Sequence, residues 1–490
     1  MASEIRVNKI ENRSGLGTVT FADTGVDLAG IVTATTFSGS GASLTSLPAA
    51  QVTGTLPAIS GANLTNLPAA NLTGTLPAIS GANLTGMAST DNVRTGILDV
   101  AGISTFRNTM NVGAAVTISE SGIEASGIGI TVANINGAQI GGRRNLVING
   151  AMEIAQRGTA AVASNGFKSV DRVQLDSGSG TDEQPSQEQG TVASGTTPYT
   201  EGFRKTYKIT NGNQTTSVAS NTDLYFQVLY KFESQNIASS GWNYLDSSSF
   251  ITLSYWVKSS VAQEFYARLQ TSDGTSYNYP FSTGSLSANT WTKVVKKIPG
   301  NSNLQFDNDV NQGLAIEFVI YRGTGKTGSG ATLNTWSVYD ASQRVPDMSS
   351  SFYTTNDATF ELTGIQMEVG SQATPFEHRS SGEELALCQR YFAKSYSGDN
   401  VGYFGIPMAN SGNSYGNATF PVTMRTNPTV VLRDGTGATG QATQHGNNYL
   451  AATAGGIQKN GFTTVSRPSG DWASNAQNPI QAGYTADAEF

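Results

Sequence analysis

Alternation of apolar and polar positions is the strongest signal in this chain, and it is concentrated in the middle. Segments 224–232 (LYFQVLYKF), 249–257 (SFITLSYWV), 264–270 (EFYARLQ), 290–298 (TWTKVVKKI), 314–322 (LAIEFVIYR) and 359–369 (TFELTGIQMEV) each show the strand-like alternation of a half-buried strand. In the fifth, Leu314, Ile316, Phe318 and Ile320 share one face. In the last, Phe360 and Leu362 hold one phase and Ile365, Met367 and Val369 the other. The phase flips at Gly364, which marks a β-bulge. Such strands, separated by turn clusters, predict an antiparallel β-sandwich over 143–380, the one stretch long enough to own a full core. Ser381 followed by Glu384 reads as a capping box and predicts one linking helix over 381–393, with Leu385, Cys388 and Phe392 on one face. Residues 394–490 are short strands among Gly, Asn and Thr, a small C-terminal β domain.

Upstream of the sandwich the apolar positions are sparse. Residues 1–37 hold short alternating pieces (EIRVNKI, GTVTF) broken by Gly, too little apolar surface to fold alone, and read as an arm that orders on docking. Residues 38–90 repeat themselves: TGTLPAISGANLT stands at 53–65 and again at 73–85, a period of 20. Apolar pairs recur as Leu44 with Leu47, Leu56 with Ile59, Leu64 with Leu67, Leu76 with Ile79 and Leu84 with Met87. Pro follows leucine at 48, 57, 68 and 77. The prolines exclude a coiled coil, and the absence of Gly at every third place excludes collagen. One such chain cannot bury its own leucines. The expectation is several chains, three, presenting these residues to a common axis. Residues 91–142 (GILDVAGISTF, NVGAAVTIS, GIGITVANINGAQI) read as a second, β-rich shaft section. Fully extended at about 3.3 Å per residue, 38–142 could reach roughly 340 Å.

Composition narrows the function classes. The chain has 490 residues, about three domains by length, of which 38% are apolar and only 13% charged. Neutral hydrogen-bonding groups therefore cover its surface, as in β-rich extracellular or virion proteins. The net charge of −7 and the lack of any basic run argue against nucleic-acid binding. No apolar window long enough to span a membrane occurs, and MASEIRVNKIENRSG lacks a signal-peptide core. One cysteine and two histidines, His378 and His445, leave no disulfide framework or zinc cluster. Neither a cofactor nor a metal is expected.

Short motifs reduce to structure. Asn63, Asn71 and Asn83 begin sequons that read as capped turns. GTGKTGSG at 323–330 has Ile320 where a phosphate loop needs Gly, and no helix follows it. Asp307, Asp309 and Asn311 open like a calcium loop, but Phe318 stands where Glu is required, so an Asx-rich turn is the reading, with a non-EF calcium as the alternative. Asp176, Asp182, Glu183, Asp273, Asp340, Asp347, Glu361 and Glu368 include no pair singled out by spacing, and Glu361 and Glu368 read as solvated faces. Aromatic rings are the better binding candidates, because sugar C–H faces stack on them. The set is Tyr277 and Tyr279 in a turn-flanked loop, Trp336 and Tyr339, and the C-terminal Tyr396, Tyr403, Tyr415, Tyr449, Trp472 and Tyr484. Trp256 and Trp291, inside strong strands, read as core.

Three passages carry a resemblance: RRNLVINGAMEIAQRG (143–158), FELTGIQMEVGSQATPFEHRSSGEELALCQRYF (360–392), and the shaft phrases GIVTATTFSG and GISTFRNTMNVG. Together they resemble tail fibres of tailed bacteriophages, particularly of phages infecting marine cyanobacteria. The sandwich they bracket is similar to carbohydrate-binding jelly-roll modules. The resemblance implies a homotrimeric fibre of the virion, made in the host cytoplasm. Its N-terminus would attach to tail or adaptor (nozzle) proteins, and its distal C-terminal part would touch a host surface glycan, lipopolysaccharide-type, or another receptor. The expected protein is mostly β, an elongated structural adhesin and not an enzyme, with no membrane insertion. Avidity from several copies compensates for weak single sites. The rivals are a polysaccharide-degrading depolymerase and a bacterial surface adhesin; the missing signal peptide speaks against the second.

Overall fold

The computed structural model describes short pieces of the first 139 residues and then residues 144–178, 182–215, 221–396, 404–406, 413–444, 448–468, 472 and 480–490. The chain divides into two compact units, Met1–Thr105 and Phe106–Phe490. In the first, β1 (Lys9–Glu11), β2 (Thr18–Ala22) and β3 (Gly25–Leu28) form an antiparallel sheet. The residues expected on a common trimer axis fall in the leucine repeat, and none of them is among the described residues. Leu44, Leu47, Leu56, Ile59 and Leu64 lie outside them, and so do Leu67, Leu76, Ile79, Leu84 and Met87. The second unit opens with a sheet of β4 (Met110–Val112), β5 (Val116–Ser119) and β6 (Gly122–Ala125), then the pair β7 (Asn134–Ile135) and β8 (Ala138–Gln139).

The sandwich follows. Its strands are β9 (Val173–Gly178), β10 (Ser186–Thr191), β11 (Lys205–Thr210), β12 (Tyr225–Glu233), β13 (Phe250–Ser259), β14 (Gln263–Thr271), β15 (Tyr277–Leu286), β16 (Thr292–Pro299), β17 (Gln312–Arg322), β18 (Ser337–Val338) and β19 (Thr359–Val369). One sheet has five strands in the order β10-β11-β19-β13-β16, the other six in the order β18-β15-β14-β17-β12-β9, and every pairing is antiparallel. All six strands expected from alternation are present. β17 shows why: Leu314, Ile316, Phe318 and Ile320 are buried in one core with Tyr255, Leu253 and Phe265. Burying each such side chain is worth about 1.5–3 kcal/mol. The bulge expected at Gly364 is there. Gly364 has φ +64°, and the β13–β19 register shifts between Ser254/Gln366 and Trp256/Thr363.

Two strand readings change. DGTSYNYP is a turn only over 273–276, because β15 begins at Tyr277 and continues past Pro280 and Gly284. β17 is buried on its second face as well, through Ala315, Glu317 and Val319. The cover is segment 323–350, whose Val345 packs with Val319 and Tyr266, with Leu333 and Met348 alongside.

Three short helical turns, α1 (Thr197–Thr200), α2 (Ser234–Ala238) and α3 (Ser351–Thr354), join strands. The longer α4 (Ser381–Gln389) is shorter than the expected 381–393, because β20 (Phe392–Lys394) takes over the chain. Its cap is Ser380 rather than Ser381: Ser380 has extended backbone and its side chain accepts a hydrogen bond from the Glu383 amide. Glu383 and Glu384 in the first turn suit the positive end of the helix. Ser380→Ala should cost about 1 kcal/mol, and so lower the melting temperature by about 2–4 °C, in a thermal melt of the full chain. Cys388, on this helix, is buried, and burial pushes its thiol well up. A thiol reagent should leave the native chain untouched and titrate its one cysteine only after unfolding.

The C-terminal strands are β20, β21 (Phe404–Ile406), β22 (Asn413–Thr419), β23 (Thr429–Arg433), β24 (Gln441–Gln444), β25 (Asn448–Ala451), β26 (Thr453–Gly455), β27 (Gly461–Ser466) and β28 (Ile480–Asp487). β28 pairs with β20, β21, β23 and β24, and a second sheet runs β22-β27-β26. They enclose a separate core with Met424, Leu432, Phe462, Trp472 and Tyr484.

Candidate functional site

Buried charge fastens this small domain to the sandwich. Glu233, at the end of β12, accepts from Arg390 Nε and Nη2, both at 2.7 Å, and from the Tyr391 hydroxyl at 2.6 Å. Burial pushes the Glu233 carboxyl up, but the hydrogen bonds from Arg390 and Tyr391 outweigh it and hold the group below its usual range. Arg172 ion-pairs with Glu489, donates to the Lys231 carbonyl at 2.6 Å, and lies 3.5 Å above the Tyr391 ring. Arg425 donates to the carbonyls of Ala488, Glu489 and Val310. The last residues of the sequence are therefore clamped between both cores.

The two passages that bracket the sandwich also meet. The amides of Arg144 and Asn145 donate to Glu377, Arg379 donates to the Val147 carbonyl, and the Asn149 amide donates to Glu384. Asn145 Nδ2 reaches the Ile365 carbonyl at the bulge, and the Ile365 amide reaches the Gly150 carbonyl. Gly150 is required there, since a Cβ would sit 2.0 Å from the Ile365 oxygen.

Between the loop that follows the first passage and the C-terminal strands lies a cavity of about 1030 Å³. One wall is the loop 155–168, with Arg157, Phe167 and Lys168; the other is Phe392 and Lys394 from β20, Tyr396 just after it, Arg433 at the end of β23, Thr436 and Gly437 from the turn that follows, and Thr485 and Asp487 from β28. Arg157 is nine-tenths buried, with its guanidinium 3.7 Å above the Phe392 ring and Nη2 at 3.0 Å from Asp487. Asp171 and Glu489 lie 3.8 and 3.7 Å from its Nη1, which makes no hydrogen bond. Burial pushes the Asp171 carboxyl up to about 6, against the pull of Arg157. Lys394 Nζ stands 5.0 Å, and the Arg433 guanidinium 5.6 Å, from the Tyr396 ring. Asp434 shapes the turn: its Oδ1 accepts from the Thr436 amide and hydroxyl and from the Ala438 amide, which leaves Thr436 and Gly437 on the wall. Four cations thus line the walls with Asp487, Asp171 and Glu489 stand behind Arg157, and an aromatic ring lies beside hydrogen-bonding groups. That arrangement can stack a sugar ring and hold an acidic substituent by charge-assisted hydrogen bonds.

Of the aromatic candidates, Tyr396 lines this cavity. Tyr279 and Trp336 are buried, pack on each other at 5.1 Å, and Trp336 donates to the Pro299 carbonyl at 2.8 Å, so both serve the sandwich core. Trp472 and Tyr484 are core residues of the C-terminal domain, with Tyr484 against Phe420 and Phe462. Burial removes these four from the binding set. Tyr277 is half-buried against the sandwich core. Tyr339 lies between the Arg268 and Arg344 guanidiniums, 5.3 and 5.4 Å from its ring. Tyr415 and Tyr449 are exposed, and Tyr403 lies outside the described residues. Trp256 is buried in a satellite cluster, with Trp291 partly buried against it.

Two carboxylates also differ from expectation. Glu361 and Glu368 are buried rather than solvated: Glu361 pairs with Lys258 at 2.8 Å, and Glu368 accepts from Thr374 and Gln366. Asp309 caps Asn311 in an Asx turn. Among the described residues no group of three or more His, Cys, Asp or Glu is placed to hold a metal, and no helix is long and apolar enough to cross a membrane. Sequence reasoning passed over Arg157, Lys168, Lys394 and Arg433. The signal available was scarcity: at 13% charged residues, every cation is a candidate.

No family model matches the chain, and no curated protein matches it in sequence. Solved structures that overlap with it include an enzymatically active domain of tailspike protein 4 from bacteriophage CBA120, at 8% identity and a TM-score of 0.25, over 46% of this chain and 21% of that one. A CBM22-1 and GH10 piece of a Clostridium thermocellum xylanase, complexed with xylohexaose, overlaps at 8% identity and a TM-score of 0.19, over 40% of this chain and 26% of that one. A CBM22 tandem domain from Paenibacillus barcinonensis overlaps at 9% identity and a TM-score of 0.21, over 68% of this chain and 90% of that one. The chain spans about a fifth to a quarter of the length of the first two.

Proposed function

We propose that this chain is a receptor-binding fibre of a tailed bacteriophage that reads host-surface glycan through the cavity between its sandwich and its C-terminal domain. The observation that carries this is the cavity itself: Tyr396 flanked by Lys394 and Arg433, opposite Arg157 and Lys168, on walls fixed by buried ion pairs. The passages 143–158 and 360–392, which resemble phage fibres, support it, since the end of each, residues 155–158 and Phe392, lines the cavity. The charge balance favours glycans bearing carboxylate or phosphate, the chemistry of lipopolysaccharide cores and acidic capsules. The chain works as a homotrimer, joined along the leucine repeat, with its N-terminal arm on a tail or adaptor protein and no catalytic step.

The test is adsorption of labelled full-length chain to host cells, with purified surface polysaccharide as competitor and a reducing-end assay on the same mixture. Competition without release of reducing ends supports the adhesin; release of reducing ends makes it a depolymerase. A native mass other than three chains overturns the trimer.

A further inference from the structure

The outer face of the six-stranded sheet carries a second cationic cluster, remote in sequence from the cavity walls. Arg268 and Arg322 are each 1% exposed. They share one carboxylate: Arg268 Nε lies 2.7 Å from Glu317 Oε2, and Arg322 Nη2 lies 2.5 Å from the same oxygen. Arg268 is otherwise satisfied, by Asn278 at 3.1 Å and Gln270 at 2.7 Å. Arg322 is not. Its Nη2 also reaches Gln227, but Nε and Nη1 are buried without a hydrogen-bond partner. Arg344, half-buried on the covering segment, likewise has a buried Nε without a partner.

The charge count on this face is lopsided. Arg268, Arg322, Arg344 and the half-buried Lys231 stand against Glu317 and Asp176, and Asp176 is already bonded to Gln227 at 2.9 Å. Burial, with Arg268 and Arg344 nearby, outweighs Glu317 and pulls the Arg322 guanidinium down to about 9. Buried cations are retained when they are paired, and unmade hydrogen bonds in such a place are costly. Guanidinium forks are matched by carboxylate and phosphate oxygens.

We infer that this face binds a small oxyanion, a carboxylate or phosphate group, at Arg322, where it would accept from the unpartnered Nε and Nη1, with Arg344, whose guanidinium shares the Tyr339 ring with Arg268, as the second cation. The site is distinct from the cavity at the domain junction and stands whether or not that cavity binds glycan.

The experiment is thermal melting of the full chain in rising inorganic phosphate, and separately in glucuronate, against sodium chloride of matched ionic strength. A saturable rise of several degrees is expected, as mass action requires of a ligand for the native state. The rise should vanish in Arg322→Gln and Arg344→Gln, persist in the cavity variant Arg433→Glu, and grow in Glu317→Gln, which removes the competing carboxylate. Response to phosphate alone assigns the site to phosphate groups; equal response to glucuronate assigns it to sugar acids as well. Arg344, being half-buried, keeps the test available if Arg322→Gln does not fold. A shift no larger than the chloride control, or one that survives Arg344→Gln or is lost in Arg433→Glu, overturns the inference.

Discussion

Glu317→Gln is expected to lower the melting temperature by about 6–20 °C in chloride buffer. The substitution keeps the shape of the side chain and removes the one carboxylate shared by Arg268 and Arg322, both almost wholly buried. Breaking a buried pair from one side costs about 3–5 kcal/mol, because the remaining charge cannot reach water. In a unit of this size each kcal/mol moves the midpoint by about 2–4 °C. Glu188→Gln is the internal control. It breaks a pair of similar length, with Lys208 at 2.7 Å, but both side chains are about 30% exposed, so less than about 1 kcal/mol is expected. Equal effects from the two substitutions would mean that the face is wetter than its burial indicates. Acid should act in the same direction. Burial pushes the Glu317 carboxyl up, yet Arg268 and Arg322 outweigh it and hold the group below its ordinary 4.5. A depressed carboxylate contributes stability that is present above about pH 4.5 and is lost as pH falls through its native value.

The second large effect is expected in the cavity. Lys394→Glu combined with Arg433→Glu reverses two of the four lining cations while leaving the Glu233–Arg390 and Arg172–Glu489 clamps intact. A charge-assisted hydrogen bond contributes about 1.5–3 kcal/mol, so loss of two should weaken binding of an acidic surface polysaccharide by about 100-fold or more, with little change in melting temperature. Tyr396→Ala should weaken it about 10-fold, by removing the stacking face. Truncation after residue 393 is a poorer experiment, since it deletes Glu489 and Asp487 and thus strips partners from Arg172 and Arg157.

The sandwich was legible because its strands face one core: Leu314, Ile316, Phe318 and Ile320 alternate in sequence as they do in space. β10 was not legible, because its SQEQGT carries no apolar residue and holds its place through Gln187, which bonds the Ser164 and Gly166 carbonyls and Tyr207. β15 hid behind Pro280 and Gly284, residues that ordinarily end strands. Trp336, between Gly-rich and Ser-rich segments, reads as a binding aromatic, but that stretch folds back over the sheet and buries it. The candidate site was legible only at Tyr396. Its walls come from residues 155–168, 392–396, 433–437 and 485–487, and no local pattern announces that these will meet. What joins them is long-range: the ion pairs of Arg157 with Asp487 and of Arg172 with Glu489, each across more than 300 residues.

Hydrogen–deuterium exchange of the full chain, with and without a purified fragment of host surface polysaccharide, tests the cavity most directly. Protection should appear together in 155–168, 392–396 and 433–437, and should be absent in the Lys394→Glu, Arg433→Glu variant. Protection confined to the exposed Tyr415 and Tyr449 strands, with the cavity amides unchanged, would place glycan recognition elsewhere on the chain.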